Sequence, residues 1–277
     1  MATCGIASPG LYQTVSARQR GQRSLGMPVV NASIEIAPST ASCEKNVIIT
    51  LDGAKDSKIK LSADCFGKSM VGDPTFTWLT DGNCPDRVVR FFRNVARMGF
   101  KAAADWSTCW VLQAANPHLP GAKPSPTMGS LAPKVVCIAY EYPRTFPNAW
   151  RWIWGGLGST LRSAPNLRAA GYFMKMIKAF DKAKEHFFKE HGPFLYICCF
   201  GTDPDFQGKG LGSDLMREVL TRACKLGMPA YLEASGVDSC RFYQRNGFQV
   251  LQEFKAEPDA PAMFLMANFQ GKSPAAC

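Results

Sequence analysis

The chain has 277 residues, a formal net charge of +10 at pH 7 and an apolar fraction of 46%, which is ordinary for a protein with a sizeable core. No apolar run approaches the roughly 18 residues that a membrane span needs, and the basic residues are scattered, which argues against nucleic acid and fits a small anionic ligand. The 11 cysteines form no Cys-x-x-Cys pair and stand apart from the three histidines, so the sequence predicts no metal site.

The beginning of the chain differs in composition from the rest. Residues 1–34 contain no Asp or Glu but carry three arginines, Arg18, Arg20 and Arg23. This pattern is typical of an organelle transit peptide or of a disordered basic tail. The sequence therefore predicts an appendage at 1–34 and a single folded domain at 35–277. We expect a soluble cytoplasmic protein, or a plastid or mitochondrial one if the appendage is a transit peptide.

Hydrophobic periodicity predicts the first elements of the folded part. Residues 47–51 fit a strand, and residues 58–70 are ambiguous but fit a short helix. Residues 85–98 fit an amphipathic helix that begins at a proline and ends at Gly99. Trp78 falls in a predicted loop between helices.

The middle of the chain alternates strand and insertion patterns. Residues 106–112 and 135–140 are predicted strands, and the Pro- and Gly-rich segment 115–133 between them reads as an insertion. Residues 146–161 carry a run of alternate tryptophans, Trp150, Trp152 and Trp154. On a strand they would share one face and could wall a substrate pocket, whereas in a helix they would spread. The alternative is that they are core or dimer-contact residues.

A long amphipathic helix from Leu167 to Phe187, ended by Gly192, precedes the most informative stretch. Residues 194–200 form an unbroken apolar run, which is typical of a strand buried on both faces. Pro204 closes the run, and apolar residues at helical spacing then recur up to Gly227.

Gln207-Gly208-Lys209-Gly210-Leu211-Gly212 lies where this strand passes into the helix. Glycines there leave the first helical N–H groups uncovered, with the positive end of the helix dipole behind them. This arrangement predicts a phosphate site. The spacing is neither that of a mononucleotide P-loop nor that of a dinucleotide fingerprint.

The pattern Gln-x-x-Gly-x-Gly resembles motif A of the GNAT superfamily, the acyl-CoA-dependent N-acetyltransferases, in which this loop holds the pyrophosphate of coenzyme A. The segments that follow also fit: a strand at 230–234, a helix at 238–246 with Asp238 as its predicted N-cap, and Tyr243-Gln244-Arg245-Asn246-Gly247-Phe248, similar to the family's Tyr-x-x-x-Gly-Phe. The residues around Glu233 resemble most the puromycin-type antibiotic acetyltransferases. The likeness covers about 194–252.

Two further strands, at about 249–254 and 262–269, complete an α/β pattern. We predict a GNAT-like mixed central β-sheet with helices on both faces, and the resemblance implies strands splayed apart at the acetyl-CoA site. The cofactor-binding core would run from about 194 to 254. The sequence departs from the family at Gly236, where many members carry an Asn that holds pantetheine.

The resemblance implies acetyl-CoA as the co-substrate. The pantetheine arm would lie along the end of the strand at Phe200, Gly201 and Thr202. The pyrophosphate would be held, mostly by backbone N–H groups, at Gln207, Gly208, Lys209, Gly210, Leu211, Gly212 and Ser213. The Lys209 side chain could equally be a solvated neighbour.

Two residues are the candidates for catalysis. The family places Tyr243 at the sulfur, where a phenol can protonate the departing thiolate; otherwise it is a core aromatic. Glu233 ends an apolar strand, where burial would raise its pKa, and it could be a base, an anchor for a cationic amine or a structural carboxylate. Glu141 and Asp205 are weaker candidates, and deprotonation through water would need no base. Backbone N–H groups near the end of the 194–202 strand would stabilise the oxyanion.

The sequence therefore predicts an N-acetyltransferase of a small-molecule amine, acting as a monomer or homodimer without nucleic acid or membrane. The alternatives are a protein lysine or N-terminal acetyltransferase, which would need a peptide-width groove, and a non-catalytic CoA-binding module, which would have no need of Tyr243.

Overall fold

The computed structural model describes residues 46–51, 56–103, 108–114 and 132–272. The predicted appendage at 1–34, nearly all of the predicted insertion at 115–133 and the start of the strand predicted at 106–112 lie outside the described residues.

The described residues form seven strands and eight α-helices. The strands are β1 (Asn46–Thr50), β2 (Cys109–Ala114), β3 (Val135–Tyr142), β4 (Phe194–Thr202), β5 (Ala230–Ser235), β6 (Gln249–Phe254) and β7 (Met263–Asn268). The helices are α1 (Asp56–Ser69), α2 (Pro74–Thr80), α3 (Pro85–Ala102), α4 (Ala149–Gly155), α5 (Leu157–Arg162), α6 (Leu167–His191), α7 (Leu211–Lys225) and α8 (Gly236–Arg245).

All seven strands belong to one mixed sheet in the order β1-β2-β3-β4-β5-β7-β6. Every neighbouring pair is antiparallel except β4 and β5, which are parallel. The predicted alternation of strands and helices is confirmed, with the short helices α2, α4 and α5 added. The predicted α/β fold with a mixed central sheet is therefore confirmed.

Apolar side chains cover both faces of the sheet. One face packs against α1, α2, α3 and α6 through an aromatic-rich layer that includes Phe66, Phe76, Phe91 and Tyr172. The other packs against α7 and α8 through residues such as Leu215. Burying a side chain of this size stabilises the fold by roughly 1.5–3 kcal/mol, so each layer is a substantial part of the core.

The parallel neighbours β4 and β5 separate soon after they meet. Their ladder contains two pairs, Leu195 with Ala230 and Tyr196 with Tyr231, although both strands continue beyond it. The predicted splay is thus present at the centre of the sheet. Backbone groups of β4 beyond Tyr196 have no ladder partner on the β5 side.

On its other side, β4 carries a β-bulge against β3. The partner of Ile138 is Cys199, but the partner of the next residue, Ala139, is Ile197, which leaves Cys198 as the extra residue. A bulge bends the strand and increases its twist locally. The bulge and the splay lie on opposite edges of the same short stretch of β4.

The predicted stop of α3 at Gly99 is wrong, because the helix continues to Ala102. This glycine instead allows close packing on β3: an added Cβ would lie 3.3 Å from Ile138 Cδ1 and 3.4 Å from Tyr140 Oη. The Tyr140 hydroxyl also donates a hydrogen bond of 2.9 Å to the Gly99 carbonyl.

Two other local predictions are wrong. Trp78 lies in α2 and not in a loop, because Asp73 caps that helix by accepting a 3.0 Å hydrogen bond from the Phe76 N–H. Asp238 does not cap α8, since the helix starts at Gly236 and has Ser235 at its N-cap position. The ambiguous segment at 58–70 is helical, within α1.

Candidate functional site

A cavity of about 1430 Å³ opens where β4 and β5 part. It runs from the loop before α7, past the ends of the two strands, to a recess bounded by α4 and α6. All the predicted cofactor-binding residues line it except Lys209, and so do both predicted catalytic residues, Tyr243 and Glu233.

The loop before α7 leaves its backbone exposed to this cavity. Gly208 and Gly210 adopt φ angles of +73° and +78°, which favour glycine, and a Cβ at either would meet open space. Gly210 is the N-cap of α7, and no side chain caps the helix. The first-turn N–H groups, at Leu211, Gly212 and Ser213, are therefore available to an anion at the positive end of the helix dipole.

The start of α7 packs directly on the end of β4. A Cβ at Gly212 would lie 3.2 Å from Thr202 Oγ1 and 3.4 Å from the Phe242 ring. A side chain at this position would require Thr202 or Phe242 to shift by a few tenths of an ångström. The N-terminal end of α7 thus lies beside the strand edge that the splay exposes.

The side chains of the loop hold the loop itself. Gln207 Nε2 donates a 3.2 Å hydrogen bond to the Thr202 carbonyl. Lys209 Nζ donates a 2.9 Å hydrogen bond to the Asp205 carbonyl and lies 5.0 Å from the centre of the Phe206 ring. Lys209 is thereby turned away from the cavity, and Asp205, proposed from sequence as a weaker base, does not line it.

Tyr243 lies on α8 against the cavity and is 8% exposed. Its ring contacts the Phe200, Phe242 and Phe248 rings, with centroids 6.2, 5.1 and 5.6 Å away. Burial, followed by the nearby cysteines Cys137 and Cys199, raises the pKa of its hydroxyl well above the usual value for tyrosine. The phenol is therefore fully protonated near neutral pH.

The glycine at position 236 has a steric explanation. Its φ is +78°, and a Cβ would lie 2.7 Å from Pro74 Cγ at the start of α2. The neighbouring Ser235 hydroxyl also donates a hydrogen bond to the buried Asp73 carboxylate. Packing of α2 against this turn therefore excludes the asparagine that many family members carry here.

Glu233 on β5 has its carboxylate enclosed by the protein. Its Oε2 accepts a 2.9 Å hydrogen bond from the Tyr196 hydroxyl, its Oε1 is buried, and the hydroxyl of Tyr231 on the same strand also acts on the carboxyl as a hydrogen-bond donor. Burial raises the pKa of this carboxyl to about 7, against the opposing effects of the Lys184 charge and the Tyr196 hydrogen bond. A carboxyl with this pKa in a cavity can exchange protons near neutral pH.

The sequence analysis missed the residues of the recess beyond Glu233. Lys184 on α6 is 4% exposed, forms a 2.9 Å ion pair with Asp181 and lies 4.3 Å and 4.5 Å from the ring centres of Phe146 and Tyr196. A signal for it was present: Ile177, Phe180, Lys184 and Phe187 recur at helical spacing, so the lysine occupies an apolar-stripe position.

Glu141, the other weaker base candidate, does not line the cavity. It is buried on β3, where its carboxylate pairs with Arg144 and accepts a 3.2 Å hydrogen bond from Arg222 Nη2. Its surroundings are those of a structural ion pair.

The three tryptophans spread around α4 instead of sharing one face of a strand. Trp152 lines the cavity, whereas Trp150 and Trp154 are 70% and 83% exposed. Hence only one indole contributes to the wall of the cavity.

Among residues 46–51, 56–103, 108–114 and 132–272, no cluster of three or more His, Cys, Asp or Glu residues could hold a metal ion. None of the helices there is both long and apolar enough to cross a bilayer.

Comparison with solved structures concerns the fold. The C-terminal condensation domain of Ebony, in complex with β-alanyl-dopamine, superposes with a TM-score of 0.55 at 10% identity, covering 81% of this chain and 98% of that one. Arylalkylamine N-acetyltransferase 2 from Aedes aegypti gives 0.49 at 13% identity over 81% and 98% of the two chains. A histone acetyltransferase HPA2 and related acetyltransferase from Corynebacterium glutamicum ATCC 13032 gives 0.47 at 17% over 80% and 95%.

The family comparison concerns the sequence. Residues 169–248 match the model of the Acetyltransferase (GNAT) family. The matched segment begins in α6 and ends just after α8, so it contains the anion-binding loop together with Lys184, Glu233 and Tyr243. Over residues 169–248, the chain is therefore similar in sequence to the N-acetyltransferases of the GNAT family.

Proposed function

We propose that this enzyme transfers the acetyl group of acetyl-CoA to the amine of a small molecule by direct attack on the thioester. The observation that carries the proposal is one continuous cavity lined by the α7 N-terminal loop, Tyr243 and Glu233. The same cavity would therefore hold the phosphate-binding site, the proton donor and the proton acceptor.

Acetyl-CoA would enter with its pyrophosphate at the N-terminus of α7. The exposed N–H groups of Leu211, Gly212 and Ser213 and the helix dipole suit that anion. The pantetheine arm would then follow the β4 edge at Phe200, Gly201 and Thr202, which lacks a β5 partner. This route brings the thioester towards Tyr243.

Glu233 would accept one proton from the nitrogen of the neutral attacking amine, and that proton would afterwards restore the hydroxyl of Tyr243. The amine nitrogen forms a bond to the thioester carbon, and unpaired N–H groups of β4 would stabilise the oxyanion. The C–S bond then breaks, and the Tyr243 hydroxyl would give its proton to the thiolate. Burial raises the pKa of Tyr243 and makes the phenol a weaker acid, but the same burial makes a thiolate beside it more basic, and this second effect favours the transfer.

The acceptor end supports a small substrate. Beyond Glu233 the cavity is a recess bounded by aromatic and methionine side chains, several of them from α6 and one from α4. It is lined by residues such as Phe146, Trp152, Phe173, Met176 and Tyr196. A protein lysine or N-terminus would need an open groove instead. Within the family, the pattern around Glu233 favours a type similar to the puromycin acetyltransferases.

A non-catalytic CoA-binding module is the less favoured function. Such a module would need the α7 loop but neither the buried phenol nor the carboxyl with a pKa of about 7 in the same cavity. We propose a monomer or homodimer that requires no nucleic acid or membrane, in the cytoplasm or, if residues 1–34 direct it there, in a plastid or mitochondrion.

The cofactor proposal is tested by calorimetric titration of the full chain with acetyl-CoA. Gly210→Asp places a carboxylate and a strained φ at the anion site, and we expect binding to weaken at least about a hundredfold. Gly227→Asp is the matched control, since Gly227 has a φ of +63° with open space around it at the opposite end of α7.

Binding lost in Gly210→Asp and kept in Gly227→Asp supports the assignment, and thiol release with a panel of amines then identifies the acceptor. Undiminished binding in Gly210→Asp would contradict the anion site. A wild-type protein that binds acetyl-CoA but does not release thiol in the presence of any amine of the panel would contradict the transferase function.

A further inference from the structure

We propose that Lys184 is a positioning residue for the acetyl transfer: its buried ammonium, held by Asp181, Phe146 and Tyr196, keeps the Glu233 carboxyl ionised and oriented for the acceptor amine. The proposal rests on the proposed function, in which Glu233 is the base.

The first observation is the position of Lys184 in the fold. It occupies an apolar-stripe position of α6 and is 4% exposed, so its ammonium is removed from water. Removing a charge from water is unfavourable unless other groups compensate. A leucine at this position would fill the space without that cost, so packing alone does not account for a lysine.

The second observation is the set of groups that hold the ammonium. Asp181, one turn earlier on α6, forms a 2.9 Å ion pair with Nζ, and the faces of Phe146 and Tyr196 lie 4.3 Å and 4.5 Å away. These contacts come from α6, from the segment before α4 and from β4. A cation over aromatic faces in a desolvated place is attracted to them, so the ammonium is fixed where it is.

The third observation links this ammonium to Glu233. Tyr196 presents its ring face to Lys184 and donates its hydroxyl proton to Glu233 Oε2 at 2.9 Å. A cation over the ring draws electron density from the phenol and makes its hydroxyl a stronger donor. One carboxylate oxygen is thereby anchored, which fixes the orientation of the carboxyl group in the wall of the cavity.

Charged and titratable groups surround Glu233 from the elements that pack around it. From α6 come Lys184 and Asp181, from β4 comes Tyr196, and β5 itself contributes Tyr231. On β7 the residue opposite Glu233 is Leu265, which carries no charge. Lys184 is therefore the cation that favours the ionised carboxyl. Without it, burial and the unpaired Asp181 would both favour the protonated form.

The test is the pH dependence of kcat/KM, which reports ionisations of the free enzyme. In the wild type we expect activity to rise through a pH of about 7, as Glu233 ionises. In Lys184→Met the midpoint of this rising limb of the pH profile should move up by about one pH unit. The loss would then be about fivefold at pH 7 and small at pH 9. Lys184→Arg should keep the limb in place because it keeps the charge.

Lys175→Met is the matched control. Lys175 lies on the same helix and forms a 2.8 Å ion pair with Glu257, but it is exposed and does not line the cavity. We expect its pH profile to equal that of the wild type. Lys184→Gln provides a second neutral variant if the methionine variant does not fold, and acetyl-CoA titration checks the integrity of each protein.

A limb displaced in both neutral variants and unmoved in Lys184→Arg and Lys175→Met supports the proposal. A rate lowered equally at every pH would overturn it, since that is the result of a purely structural lysine. A displacement of the same size in Lys175→Met would also overturn it. A wild-type protein inactive with all amines would overturn the proposed function itself, which is a distinguishable result.

Discussion

The proposed cofactor end and the proposed acceptor end of the cavity are built from different parts of the polypeptide. At the cofactor end, the surface is mainly backbone: the loop glycines, the first turn of α7 and the unpaired edge of β4. At the acceptor end, the surface is made of side chains from α4, α6, β4 and β5. The first comes from one continuous stretch of chain, whereas the second is assembled from segments far apart in sequence.

This difference predicts different responses to substitution. A backbone-built site should lose cofactor binding when a residue changes the course of the chain or obstructs it. A site built from side chains should lose turnover when a functional group is removed, with cofactor binding unchanged. Three substitutions test this division, from the largest expected effect to the smallest.

Glu233→Gln should have the largest effect on turnover. The amide keeps the size of the carboxyl but cannot accept the proton of the amine, so we expect kcat/KM at pH 8 to fall by about 10²–10⁴-fold. Affinity for acetyl-CoA, measured by calorimetry, should stay within about twofold of wild type. Glu253→Gln on β6 is the control, because that carboxylate is exposed and does not line the cavity.

A Glu233→Gln protein with wild-type kcat/KM would mean that the amine loses its proton through water, and Glu233 would then be a structural carboxylate. Weakened acetyl-CoA binding in this variant would mean that the two ends of the cavity are not separable.

Tyr243→Phe tests the proposed general acid, whose side chain lies among the residues of the proposed cofactor end. Without the hydroxyl, the thiolate must leave unprotonated or take a proton from water, so we expect kcat to fall by about tenfold to a thousandfold. Acetyl-CoA affinity should be nearly unchanged. Tyr172→Phe is the matched control, since it removes the hydroxyl of a tyrosine on α6 that does not line the cavity.

Equal turnover in Tyr243→Phe and wild type would assign Tyr243 to the core, in line with its contacts to three phenylalanine rings. A drop of the same size in Tyr172→Phe would point to a general effect of losing a buried hydroxyl.

Gly236→Asn should have the smallest effect on catalysis and a measurable effect on stability. The substitution introduces the residue that many family members carry, but its Cβ would meet Pro74 Cγ at 2.7 Å. Overpacking of this kind costs roughly 1–3 kcal/mol of unfolding free energy, to be measured by urea denaturation. The double substitution Gly236→Asn with Pro74→Ala should recover part of that loss. Tighter acetyl-CoA binding without any loss of stability would refute the steric explanation.

The same division explains how much the sequence could reveal. The order of strands and helices and the position of the glycine loop before α7 were predictable because each is encoded locally, by apolar periodicity and by glycines at Gly208, Gly210 and Gly212. Tyr243 and Glu233 were nominated because they follow that loop at short range. Both line the cavity, and their chemical roles stay predictions.

The recess was not predictable in the same way. Lys184 shows only that a lysine interrupts an apolar stripe, and nothing local pairs it with Phe146, some forty residues away, or with Tyr196 on another strand. Gly99 was misread for a related reason: a glycine in a helical pattern predicts a stop, but here contact with Ile138 and Tyr140 of β3 selects it. Contacts between distant segments decide such positions.

The bulge of β4 determines which side chains of the strand face each of the two layers of the core. Up to Ile197 the side chains alternate regularly, with Tyr196 in the layer of α6 and Ile197 in the layer of α7. Cys198 and Cys199 then both face the α6 layer, and Phe200 returns to the α7 layer beside Tyr243. The alternation of side chains between the two layers therefore shifts by one residue at Cys198. Deleting Cys198 would leave Cys199 in the α6 layer and Phe200 in the α7 layer, so a one-residue deletion here should remove the local bend and extra twist of β4 while keeping Phe200 beside Tyr243.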